Sequence, residues 1–271
     1  MSLNRPIWKL RDWIDYNSLD WSQLSANPNA IQLLSENPDK INWYCLSSNP
    51  DAIELISKNL NKINWRLLSS NQNAIQLLID NPNKINWCYL STNESPEAIK
   101  LLIENPDKIN WKLLSSNPNI EAIQLLTENP DKIDWYYLSS NSNPEAIKLL
   151  SENPDKINWI RLSSNPEGIK ILTENPDKIN WDLLSLNSEA IQLLIENPDK
   201  INYEYLSLNP NPKAIKLLSK TPDKIDWYNL SSNSNQEAIK LLSENKNEID
   251  WSELSRNPAI FTLDYEAMRV A

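Results

Sequence analysis

The chain has 271 residues, 36 acidic and 26 basic side chains, a formal charge of −10, no histidine and one glycine. That balance repels nucleic-acid phosphates and anionic lipid surfaces and favours basic or neutral partners. Without histidine there is no Ser-His-Asp arrangement, no imidazole base and few transition-metal sites, and one glycine cannot build a Gly-rich phosphate loop. No catalysis, cofactor or metal is expected.

Residues 1–20 carry Trp8, Trp13 and Tyr16 outside the period that follows, and their composition suits an N-terminal cap. Arg5, Lys9 and Arg11 stand where a signal peptide needs apolar residues. No later run approaches the ~20 apolar residues of a membrane span, so a soluble, cytoplasmic protein without membrane contact is expected.

From Trp21 onward one phrase, Asn/Asp-Trp-x-x-Leu-Ser-x-Asn, is written eleven times. Its anchors are Trp21, Trp43, Trp65, Trp87, Trp111, Trp135, Trp159, Trp181, Tyr203, Trp227 and Trp251, spaced by 22 or 24 residues. A fixed period near twenty predicts a stacked solenoid. The fold class is therefore all-α, a solenoid of tandem two-helix repeats over residues 21–254, between the cap at 1–20 and a C-terminal cap at 255–271. If neighbours stack at the usual ~8 to 10 Å, the array is a rod of roughly 100 Å.

Each repeat predicts two helices. The Asn or Asp before the anchor is an N-cap, so the anchor opens a first helix of one or two turns, α or 3₁₀, with Leu three residues on sharing its face. The second piece, Ala-Ile-x-Leu-Leu, is the longer helix, often with an acid before the Ala. It closes on Asn, with Thr221 as the exception, and the following Pro suggests a left-handed closing residue. Gly168 replaces the Ala of this motif, which marks the position as a close approach. The two extra residues of the longer repeats always fall between the helices, on one edge of the stack. The invariant Ser and Asn, four and six residues after the anchor, predict polar ladders between repeats.

Charged runs such as Glu36-Asp39-Lys40, Glu104-Asp107-Lys108 and Glu128-Asp131-Lys132 are expected to be solvated edge pairs. Aromatic rings interleaved with charge can stack nucleic-acid bases, but ten of the tryptophans share one offset, which favours packing and argues against nucleic acid. Cys45 and Cys88 sit at different offsets, without metal spacing, and are expected as half-buried thiols in a reducing compartment. Asn93-Glu94-Ser95 matches a glycosylation acceptor by chance.

The variable columns remain. The residue after the anchor runs through Tyr44, Arg66, Cys88, Lys112, Tyr136, Ile160, Asp182, Glu204 and Tyr228, too diverse for a shared packing role. With Tyr137, Arg161 and Tyr205 from the next column, it forms an exposed ridge with the Tyr, Arg and Leu composition of interface anchors. These twelve residues are the candidates for binding a protein or peptide partner, against the alternative of an unconstrained solvent face.

The pattern Glu-Asn-Pro-Asp-Lys-Ile-Asn-Trp-x-x-Leu-Ser-x-Asn-Pro, with the ending Asn257-Pro258-Ala259-Ile260-Phe261, resembles the Asn-Pro-rich short-repeat proteins numerous in giant DNA viruses. More distantly it resembles the leucine-rich repeat variant family, a right-handed solenoid of α and 3₁₀ helices. The viral resemblance implies origin and fold more than function, with host cytoplasm as the setting; the missing chemistry and the variable ridge lead to the expectation of a non-enzymatic interaction scaffold, monomeric or weakly self-associating. Its alternative is a rod-like spacer in the virion or its assembly.

Overall fold

The computed structural model describes residues 6–270, so the first five residues of the segment 1–20 and Ala271 of the segment 255–271 lie outside it. Each of the first ten repeats holds a Trp helix (Tyr203 in one copy) and an Ala-Ile helix joined by turns, as in Trp21–Ser25, Pro28–Ala30 (3₁₀), Ile31–Glu36 and Pro38–Lys40 (3₁₀); the eleventh replaces its second helix with the turn Pro258–Ile260 and a short strand. The protein is an all-α repeat solenoid.

The caps explain where each helix begins. The Asn42 carboxamide oxygen accepts from Cys45 N at 3.2 Å and Asn64 does the same for Leu67 N at 3.0 Å, so the anchor enters the helix with its free N–H groups met. The two extra residues of the longer repeats change the second helix itself. In the 22-residue copy it starts as a 3₁₀ turn and becomes α at Ile75–Asp80; the extra pair lets Pro96–Glu104 form one continuous nine-residue helix capped by Ser95.

The closing Asn is not left-handed. No non-glycine residue among those described has positive φ, and Asn37 sits at φ −131°, ψ 59°. A following proline disfavours helical backbone in the residue before it, but Asn245, followed by Lys246, adopts the same conformation at φ −128°, ψ 54°, so proline does not set it. The side chain terminates the helix instead, donating Nδ2 to the carbonyl four residues back, as Asn37 does to Leu33 O at 2.9 Å. Thr221 reaches toward Leu217 O and Leu218 O with its hydroxyl, at 3.4 and 3.5 Å.

The core consists of fully buried Leu from the Trp helix and Ala and Leu from the Ala-Ile helix, repeated through the array. Burying each large aliphatic stabilises by about 1.5 to 3 kcal/mol, but a single copy cannot enclose its own. Two ladders of invariant polar residues join the copies. Ser47 donates its Oγ to Trp43 O at 2.7 Å and accepts from the backbone N of Asn64 in the next repeat at 2.8 Å. Asn49, fully buried, accepts from Asp51 N and donates Nδ2 to Ser25 O and Asn27 O of the preceding repeat at 3.0 and 2.9 Å. Among the described residues no buried side-chain polar atom lacks a partner, so this polar layer satisfies its own desolvation.

The ladders do not stop at the ends. Asp20 N donates to Ser255 Oγ at 2.9 Å, and Asn27 Nδ2 donates to Ser255 O and Asn257 O, both at 3.0 Å. Those are the bonds of the internal joints, all of which make the serine bond and all but one both asparagine bonds (Asn71 reaches Asn49 O alone), so the first and eleventh repeats are neighbours and the array is a closed ring. Strands β1 (Trp8–Leu10) and β2 (Phe261–Leu263) pair antiparallel across the seam, with Leu10 opposite Phe261. Arg11 reinforces it, donating N to Ile260 O at 3.0 Å and Nε to Ala259 O at 2.7 Å. The terminal segments therefore pair with each other instead of capping two open ends. The expected rod is corrected to a ring, because an open array would leave Asn27, Asp20 N and the carbonyls of the last repeat without partners.

Successive Trp helices pack directly together, most closely from Tyr203–Leu208 through Trp227–Ser232 and Trp251–Arg256 to Trp21–Ser25. Successive Ala-Ile helices stand apart, with open grooves between Pro96–Glu104 and Ile120–Glu128 and between Pro212–Leu218 and Gln236–Glu244. In a closed ring the row with the shorter spacing is the inner one. The Trp helices therefore line the lumen, and the Ala-Ile helices form the outer wall.

Gly168 tests the packing of this wall. A Cβ there would meet Leu162 Cδ1 at 2.6 Å, so Leu162 has moved into the space that Ala occupies elsewhere. Its φ of −77° suits any residue. Gly168→Ala is expected to be accepted, with Leu162 turning aside and stability within about 1 kcal/mol of the parent. Gly168→Leu should cost at least about 2 kcal/mol by overpacking. Urea unfolding midpoints distinguish the two, and equal midpoints would remove the close approach.

Candidate interaction surface on the inner wall

Along nine of the eleven Trp helices the burial pattern has one form: the anchor is half-buried, the next residue exposed, the one after half-buried, and the following Leu and Ser buried; in the first and last, at the seam, Ser22 and Ser252 are half-buried instead. Tyr44, Arg66, Cys88, Lys112, Tyr136, Ile160, Asp182, Glu204 and Tyr228 all lie on the exposed position, and Tyr137, Arg161 and Tyr205 lie half-buried beside it. All twelve stand on the inner row of helices. Tyr44 and Ile160 keep 59% and 55% of their surface in solvent, more than an inward-packed aromatic or isoleucine would.

These residues are not an unconnected ridge. The Arg66 guanidinium lies over the Tyr89 ring at 4.6 Å, Lys112 over Tyr137 at 5.5 Å, and Arg161 over Tyr136 at 4.4 Å while donating to its hydroxyl. Tyr228 donates to Glu253 Oε1 at 2.9 Å. In each pair, one residue follows its anchor directly and the other stands two places after a neighbouring anchor. The helix caps of the next repeat join in: Asn202 donates to Asp182 Oδ1 at 3.0 Å, and Asn110 Nδ2 lies 3.1 Å from Cys88 Sγ. Read down a column the types look unrelated; read on the diagonal they are complementary, cation on ring or donor on carboxylate. Tyr89, Glu253 and the diagonal itself were missed by column reading, although the diagonal is visible in the sequence.

The anchors themselves are half-buried against the core. Lys40 and Lys108, expected only in solvated pairs, instead place their ammonium groups over Trp21 and Trp87 at 4.3 and 4.5 Å. Lys132 does pair with its neighbour Asp131, at 3.2 Å. Cys45 is half-buried, and burial first of all pushes its thiol above the ordinary value; Cys88 is exposed, not half-buried as expected.

The hydrogen bond to Glu253, followed by that carboxylate's charge, pushes the Tyr228 phenol above the ordinary tyrosine value. The neutral phenol is the form the fold favours, so this contribution is complete below the ordinary pKa of about 10 and is lost as pH rises through the elevated folded value. The absorbance difference between the parent and Tyr228→Phe should show a phenolate midpoint above about 10 that falls in Glu253→Gln. A midpoint that Glu253→Gln leaves in place would sever the pair.

The inner wall is divided by charge. From Tyr44 to Arg161 its variable positions carry Arg66, Lys112 and Arg161 and no acid; from Asp182 onward they carry Asp182, Glu204 and Glu253 and no base. With eleven joints at about 8 Å, the helix axes lie on a circle about 28 Å across, and side chains leave an opening of about 15 to 20 Å. That admits an extended segment or a single α-helix. Among the described residues no helix is long and apolar enough to cross a membrane.

No protein-family description, curated protein or solved structure matches the chain. The viral resemblance gains nothing from these comparisons, and function rests on the geometry of the ring.

Proposed function

We propose that the protein is a non-enzymatic, ring-shaped interaction scaffold that receives a protein or peptide segment in its lumen. The observation that carries this is the placement of variation. Positions that hold the ring together repeat almost without change, and the exposed tyrosines, arginines and carboxylates that differ in chemical type and charge from copy to copy stand on the inner row of helices, whereas the outer helices vary within a narrower set, such as Ser35, Ile79, Ile103, Thr127 and Ile195 at one offset. Aromatic and arginine side chains on a rigid support lose little entropy on contact, as interface anchors require. The lumen residues named above are the contact set.

A photo-crosslinking residue placed at Tyr44 or Tyr228, and separately at outer-wall Gln124 or Lys148, tests this in cells that make the native protein. A discrete protein adduct from the lumen positions and none from the outer wall is expected. Adducts only from the outer wall, or none, would overturn the assignment.

A further inference from the structure

Given a lumen that receives a partner, we propose that the arc from Arg66 to Arg161 binds an acidic protein segment, its carboxylates held by Arg66, Lys112 and Arg161. Two of these cations share one cluster. Tyr136 and Tyr137 meet edge to face with centroids 5.3 Å apart, Arg161 covers one ring and Lys112 the other. Arg66 on Tyr89 forms a second, smaller unit on the same arc. A cation stacked on a ring is held in place while its outer N–H groups remain free to donate, and a guanidinium so held matches the fork of a carboxylate.

Charge leaves these groups in need of a partner. None of the three forms an ion pair among the described residues; lysines elsewhere do, as in Lys58 with Glu54 at 2.8 Å and Lys178 with Asp177 at 3.4 Å. The one acidic helix cap on this arc, Asp134, is engaged by the N–H groups of Tyr136 and Tyr137. Between residues 12 and 255 the chain uses lysine for every cation except Arg66 and Arg161, both on this arc. Asp182, in the copy after Arg161, forms no ion pair with it: its carboxylate accepts from Asn202 Nδ2 at 3.0 Å, while the guanidinium lies back over Tyr136. Glu204 and Glu253 stand at least two copies from each of the three cations, and beyond the ~8 Å screening length at physiological salt the acidic arc does not repel a short ligand seated on Arg66 and Lys112. It would face a long polyanion that filled the opening, which favours a peptide over a nucleic-acid strand.

Fluorescence anisotropy with a short labelled peptide of alternating Glu and Ser tests the arc directly. The native protein should bind it, and Arg66→Gln/Lys112→Gln/Arg161→Gln should bind roughly tenfold or more weakly. Lys100→Gln/Lys170→Gln/Lys240→Gln removes the same charge from the outer wall and should bind like the native protein; circular dichroism confirms that both variants remain folded. Equal weakening in both triples, no binding of the peptide, or preference for the Lys-Ser counterpart or for an oligothymidylate over the Glu-Ser peptide would overturn the proposal. Lumen crosslinks that persist in those cases leave the scaffold standing with a different partner; their absence removes both.

Discussion

Asn27→Ala should destabilise the protein as much as Asn141→Ala, although one replaces a residue near the chain start and the other a residue deep in the array. Asn141 donates to Ser115 O and Asn117 O at 3.0 and 2.9 Å and accepts from Asn143 N at 2.9 Å. Truncation leaves those three groups unmet, at about 1 to 3 kcal/mol each, so a total of at least about 3 kcal/mol is expected. Asn27 makes the same three bonds, two of them to residues more than two hundred positions away. Were the ends apart in solution, Asn27 would keep only its bond to Asn29 N, and its loss would cost about 1 kcal/mol, as for a helix cap. Urea midpoints for the two variants thus read ring closure from stability alone. A cost for Asn27→Ala far below that of Asn141→Ala would mean an open seam.

The second large effect is one of size. A compact chain of 271 residues has a radius of gyration of about 19 Å, and a ring with an open centre slightly more, about 20 Å. A straight stack of the same repeats, roughly 100 Å long, would give about 30 Å. Small-angle X-ray scattering should return the smaller value, with a pair-distance distribution that falls to zero far short of 100 Å. The larger value would rule out closure.

The repeat, its two helices, the caps and the single edge of insertions were legible because each depends on local chemistry written many times. The ladders were legible for the same reason: a polar residue kept at one offset in every copy has to be bonding something common to every copy. Closure was not read, because it depends on a small rotation per repeat, about 33° for eleven copies, summed around the circle. Yet the residues recorded it. In an open array, Asn27 has no preceding repeat to bond and Ser255 no following one, and both positions were free to drift; both are kept. Trp8 and Phe261 looked like features of two separate caps because the antiparallel pairing of their strands joins distant parts of the sequence. The candidate surface was half legible. Nine of its twelve positions are exposed, as their diversity of type implies, but Arg161 and Tyr136, or Tyr228 and Glu253, occupy different columns, and only the offset between neighbouring helices brings them together.

An open solenoid unravels from its tips, where each terminal copy leans on one neighbour and frays at little cost. The seam between Asp20 and Ser255 abolishes tips. Unfolding any first copy now means losing its contacts on both sides, or first breaking a whole joint, so the ring raises the barrier to the first step of unfolding more than it raises the equilibrium stability. The native state should be long-lived, with slow amide exchange spread evenly around the circumference rather than rising towards two ends.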